Sequence, residues 1–69
     1  MNENIEIKGK ISLRELRGLM GMNQKKFAEF VEIPTSSYRR YEENSGSAGF
    51  AEILKICDKT GVGVEKIKI

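Results

Sequence analysis

The stretch QKKFAEFVEIPTSSYRRYE, residues 24–42, leaves few folds open, and Pro34 is the reason. A proline ring fixes φ near −65° and carries no N–H, so it is excluded from a helix interior but fits a helix start. Upstream of it, Phe27, Ala28 and Val31 share one side of a helical segment, with Lys25, Lys26 and Glu29 pointing away. Downstream, Thr35 can open another helix. Only Glu32, Ile33 and Pro34 lie between, so two short helices must cross steeply.

The flanking residues extend this frame. Ser12 and Glu15 have the spacing of a capping box, and Leu13, Leu16, Leu19 and Met20 follow at helical intervals until Gly21. Helix one is therefore expected over about 13–20. Asn23 can cap helix two, which should end near Val31. Residues 44–49, NSGSAG, read as a loop. Phe50, Ile53, Leu54 and Cys57 fall at i, i+3, i+4 and i+7, which predicts a fourth helix burying those four side chains and stopping at Gly61. Residues 63–67 read as a short fifth helix or turn with Val64 and Ile67 inward. Residues 1–11, with Ile5 and Ile7 alternating, read as a short strand or a loose arm ahead of a domain at 12–69.

Composition removes whole classes of function. With 69 residues there is room for one core. The chain has one cysteine, Cys57, and no histidine, which rules out a disulfide framework and a Cys/His zinc site. Asp58 is its only aspartate, so no nucleophile-base constellation is available and no enzyme, metal or cofactor is expected. No apolar run approaches the ~20 residues that cross a bilayer, and the first ten residues do not read as a signal peptide. A cytoplasmic protein without a membrane partner is expected. The net charge of +2 is unevenly spread: −2 over residues 1–7, +5 over 8–40 and −1 over 41–69. The basic half contains the Pro34 segment, which favours an anionic partner there.

Helix three shows what that partner could be. Tyr38 and Tyr41, with Ile33 upstream, supply its inner face. Thr35, Ser36, Arg39 and Arg40 then face outward, with Ser37 at the boundary. Ser and Thr are mediocre helix formers, so an idle surface helix would carry Glu, Lys or Ala instead. Small hydroxyls let a backbone approach DNA closely and bond phosphates or base edges. Arginines one turn later can straddle the backbone or grip guanine. The residues alone balance this evenly against plain capping and solvation.

From Leu13 to Ile67 the chain resembles the lambda repressor/Cro-type helix-turn-helix family, also called XRE. The resemblance is carried by Leu13, Leu16-Arg17, Asn23-Gln24, Phe27-Ala28, Glu32-Ile33-Pro34 and Tyr41-Glu42. Further along it is carried by Phe50-x-x-Ile53-Leu54-Lys55-Ile56 and Gly61-Val62-x-Val64-Glu65-x-Ile67. It implies an all-α domain of four or five helices, with the helix-turn-helix at about 24–43. Gln24 would bind a phosphate and brace helix three. Pro34, Thr35, Ser36 and Arg40 would touch base edges or phosphates, with Ser37 and Arg39 alongside and Asn44 on a backbone phosphate. Arg17 and Glu42 would form an ion bridge between helices one and three, and Ala28 would be small to admit helix three. Two positions depart from the family. Glu32 stands where glycine with φ > 0 is usual, so either a glutamate holds that conformation at about 1 kcal/mol or the turn differs. Pro34 replaces a serine or threonine.

The expected function is a Cro-like, sequence-specific regulator of phage or prophage type, inserting helix 35–43 into an operator's major groove. Pairing of two copies on half-sites is expected, through helix five, Ile67 and Ile69, with Ile5 and Ile7 as further contributors. The alternative is an antirepressor that docks on a partner repressor's DNA-binding domain, with Glu29 and Glu32 imitating phosphates.

Overall fold

A computed structural model describes residues 9–69; the proposed arm strand at Ile5 and Ile7 lies outside them. Four α-helices, α1 (Leu13–Leu19), α2 (Gln24–Phe30), α3 (Thr35–Glu43) and α4 (Phe50–Thr60), are joined by short connections. Two single 3-10 turns, Ser45–Ser47 and Val64–Lys66, follow α3 and α4.

Each helix starts and stops for local reasons. At α1 the capping box is closed both ways: Glu15 N donates to Ser12 Oγ at 3.1 Å, and Ser12 N donates to Glu15 Oε1 at 2.9 Å. Asn23 Oδ1 accepts from Lys26 N at 2.8 Å and begins α2. Both helices end in the same motif, in which the amide two residues past the cap reaches back to the last turn. Met22 N donates to Arg17 O at 3.3 Å after α1, and Ile33 N donates to Ala28 O at 2.9 Å after α2. That motif requires a left-handed residue at its corner. After α1 the corner is Gly21 at φ 71°; after α2 it is Glu32 at φ 63°. The family's turn geometry is thus kept at Glu32 although the glycine is gone.

The core forms where α1, α2 and α3 meet. Leu13, Leu16, Phe27, Ala28, Val31, Ile33, Tyr38 and Tyr41 are all buried in it. The Phe27 and Tyr38 rings pack at a tilt of 55° with centroids 5.2 Å apart, and Ala28 has no exposed surface. Ile11 and Ile67 close the other side through an isolated parallel bridge: Ile11 N donates to Lys66 O, and Lys68 N donates to Ile11 O, both at 2.8 Å. Ile11 therefore belongs to the packed body.

Helix α4 overturns part of the expected stripe. Ile53 and Ile56 are its buried residues, Cys57 is half-buried, and Phe50 and Leu54 are 67% and 44% exposed. The inward face is turned by roughly a quarter of the helix circumference from the expected one. Ile56, outside the expected stripe, is fully buried and draws the inward face toward itself and Ile53, and Lys55 and Lys59 then flank the α2–α3 turn. Lys55 Nζ donates to Glu32 O at 3.4 Å, and Lys59 Nζ lies 3.1 Å from Glu32 Oε2. Such exposed contacts contribute at most about 1 kcal/mol, so they accompany the roll of the helix, which buries Ile53 and Ile56 and leaves Phe50 and Leu54 outside.

Three smaller expectations are corrected. Leu19 is exposed because α1 points Leu13 and Leu16 inward and leaves its flank uncovered. Val64 is exposed at the start of its 3-10 turn, and only Ile67, in the extended residue that follows, turns inward. Ile67 is 2% exposed and already committed to the monomer core, so it cannot form a dimer contact; Ile69 is exposed.

Candidate nucleic-acid interface

Helix α3 has an inner and an outer face because its only large apolar residues are three apart. Burial of Tyr38 and Tyr41 fixes its rotation, which leaves Ser36, Arg39 and Arg40 exposed and Thr35 and Ser37 half-buried at the edges. Pro34 is exposed at the N-cap and gives no side-chain hydrogen bond. The first amides of α3 therefore lack the side-chain cap that Asn23 gives α2, and a helix N-terminus favours an anion. The Arg40 guanidinium sits 5.7 Å from the centre of the Tyr41 ring, so its stem lies along the helix while its donors remain outside. Among the described residues, neither Arg39 nor Arg40 has a carboxylate within salt-bridge range.

Asn44 ends α3 with extended backbone, and its Oδ1 accepts from Gly46 N at 3.2 Å to start the following 3-10 turn. Its acceptor is thereby occupied within the loop, and its exposed amide N–H groups are what it can offer a phosphate.

Behind the face is a buried polar hub. The Glu42 side chain has no exposed surface. Its Oε2 accepts from Arg17 Nε at 2.5 Å and from the Tyr38 hydroxyl at 2.6 Å, and its Oε1 accepts from Gln24 Nε2 at 3.0 Å. Arg17 Nη1 also donates to Met22 O at 3.1 Å. One carboxylate thus ties α1, the α1–α2 turn and the start of α2 to α3. Burial by itself pushes the Glu42 carboxyl up, but hydrogen bonds from Arg17, Tyr38 and Gln24 outweigh it and hold it below the ordinary carboxylate range. Burial, reinforced by the neighbouring carboxylate, raises the Tyr38 phenol far above its usual value. The bond to Glu42 likewise raises Arg17. At neutral pH the hub is therefore an ionised Arg17–Glu42 pair closed by two neutral donors.

The structure gathers Pro34, Thr35, Ser36, Ser37, Arg39 and Arg40 along α3 and sets Asn44 at its end. Gln24, at the start of α2, has its amide engaged on Glu42. Two participants were not singled out from sequence. The Tyr38 hydroxyl belongs to a ring that its helical position marks as core, and the i, i+4 spacing to Glu42 is its one sequence signal. Arg14 places its Nε 3.6 Å from Glu42 Oε1, one helical turn before Arg17.

A bare helix-turn-helix with an outward-facing, uncapped second helix and free arginines is the architecture of a DNA-binding domain. A model of the helix-turn-helix family matches residues 13–67, and the chain belongs to that family, in its lambda repressor/Cro (XRE) branch. No curated protein and no solved structure matches the chain significantly. No helix among the described residues is long and apolar enough to cross a membrane.

Proposed function

We propose that the protein is a sequence-specific transcription regulator of the Cro and repressor kind, which lays α3 in the major groove of an operator. The observation that carries this reading is the exposed row of Ser36, Arg39 and Arg40 on a helix whose rotation is fixed by Tyr38, Tyr41 and Glu42. Ser36 and Thr35, near the N-terminus of α3, are short enough for the backbone to approach base edges. Arg40, one turn on, can read guanine or bind a phosphate. Asn44 and Arg39 serve as phosphate contacts. Gln24 acts chiefly by bracing Glu42, and its remaining N–H can reach a phosphate.

A single domain of this size buries only about 600–1,000 Å² on DNA, so specific binding calls for two copies on half-sites about 34 Å apart. The rival reading, docking on a repressor's DNA-binding domain, asks Glu29 and Glu32 to stand in for phosphates. Glu32 is instead paired with Lys59 inside the monomer, which favours DNA.

The test is selection of duplexes from a random library by the purified chain, followed by titration of the enriched sequence. Arg40→Ala should weaken binding to the enriched duplex by about 1–3 kcal/mol, with log K falling linearly in log salt for both proteins. Failure to enrich any duplex, together with stoichiometric co-purification of a repressor, would transfer the function to the rival reading.

A further inference from the structure

Outside the helix-turn-helix, Arg14 carries a charge that the fold engages only loosely. The Glu42 carboxylate is already matched by Arg17, which bonds it directly, and its remaining acceptor capacity is filled by Tyr38 and Gln24. Arg14 Nε stands 3.6 Å from Glu42 Oε1, beyond hydrogen-bond range, and its side chain is 70% exposed. It is a surplus positive charge, anchored at its root by a buried anion and open at its head.

Its position is informative. Arg14 and Gln24 approach the same oxygen of Glu42, so the guanidinium lies beside the side chain that begins α2. Thr35, Arg39 and Glu42 occur at i, i+4 and i+7 and share one edge of α3. Arg14 thus borders α3 on the edge that Arg39 and Thr35 also line. Packed helices have axes 8–10 Å apart, and the major groove is about 12 Å wide. A group on α1 that borders a groove-bound α3 therefore falls over the phosphate strand flanking the groove.

We propose that Arg14 is a DNA-backbone contact: it binds a phosphate at the wall of the groove that α3 occupies, and adds affinity without reading sequence. This rests on the DNA-binding reading above. Glu42 is then bifunctional, orienting α3 through Arg17 and Tyr38 while aiming Arg14 outward.

The experiment is a salt series on the full chain with two probes, the duplex enriched by the wild type and a scrambled duplex of equal length. Each is titrated with wild type, Arg14→Ala and Arg14→Lys. Each phosphate neutralised contributes about 0.9 to the slope of log K against log salt. Arg14→Ala should lower the slope by about one and weaken binding about fivefold near 0.15 M salt, equally on both duplexes. Arg14→Lys should keep the wild-type slope, and the melting temperature should not move for either variant. An unchanged slope in Arg14→Ala would overturn the proposal. So would a loss confined to the enriched duplex, which would make Arg14 a base reader, or a loss that tracks a lowered melting temperature and that Arg14→Lys does not restore. If the wild type enriches no duplex at all, the DNA-binding reading itself falls.

Discussion

Replacing Glu42 by glutamine changes one oxygen to an NH₂ and should remove a large part of the protein's stability. Three donors converge on this carboxylate, from Arg17, Tyr38 and Gln24. An amide has only one acceptor atom, so its NH₂ must face at least one of those donors. Breaking a buried ion pair by removing one partner costs about 3–5 kcal/mol, because the other charge stays buried. Arg17 keeps 20% of its side chain in contact with water and retains its bond to Met22 O, which places the loss near the lower end. At about 0.05–0.15 kcal/mol per residue the whole domain has only about 3–10 kcal/mol to lose.

Urea denaturation followed by circular dichroism measures the difference directly, with an unchanged slope and a lowered midpoint expected. Acid supplies a second arm. The Glu42 pKa is lower in the folded state than its ordinary value of 4.5. Its contribution is therefore complete above about pH 4.5 and is lost as the pH falls through the folded value. Wild type should lose stability in that window, and Glu42→Gln should lack the part due to this group. The double replacement Arg17→Met with Glu42→Leu should recover part of the loss, since removing both partners of a buried pair is often near neutral, while the Tyr38 hydroxyl keeps only Leu13 O at 3.4 Å. A loss below about 1 kcal/mol, the range of an exposed pair, would refute the hub.

Other substitutions probe the backbone and the packing. Gly18 lies within α1 with nothing near the place of a Cβ, so Gly18→Ala should stabilise by about 0.5–1 kcal/mol in the same urea titration. Glu32→Gly relieves a left-handed non-glycine residue but loses the Lys59 pair; it should be more stable than Glu32→Ala, which loses the pair and keeps the conformation. Ala28→Leu should destabilise by about 1–3 kcal/mol, because Ala28 has no free surface where α3 packs; thermal melting reads the change.

How legible these features were depended on how many alternatives each residue left. On α3 the apolar residues are two tyrosines, so only one rotation buries them, and the exposed row followed. On α4, Phe50, Ala51, Ile53, Leu54, Ile56 and Cys57 cover more than half of the helix circumference. Periodicity then identified a helix but not its inward side, which depends on how Ile53 and Ile56 pack against the rest of the core. The capping residues Ser12 and Asn23 were readable because their partners lie three positions away. The approach of Arg14 to Glu42 spans 28 positions and exists only once three helices have packed. The turn at Glu32 fell between these cases: the family pattern supplied its shape, while the residue argued against it.

The bridge between Ile11 and Ile67 has a consequence for the order of assembly. Most other packing in this domain joins neighbours along the chain, whereas this contact closes a loop of nearly its full length. Closure entropy grows with the logarithm of the enclosed length, so such a contact gains least from early formation. The bridge should fasten late in folding and be among the first contacts to open, while the α2–α3 corner still holds its shape. Amide exchange at Ile11 and Lys68, whose N–H groups make its two bonds, would then report local opening well ahead of global unfolding.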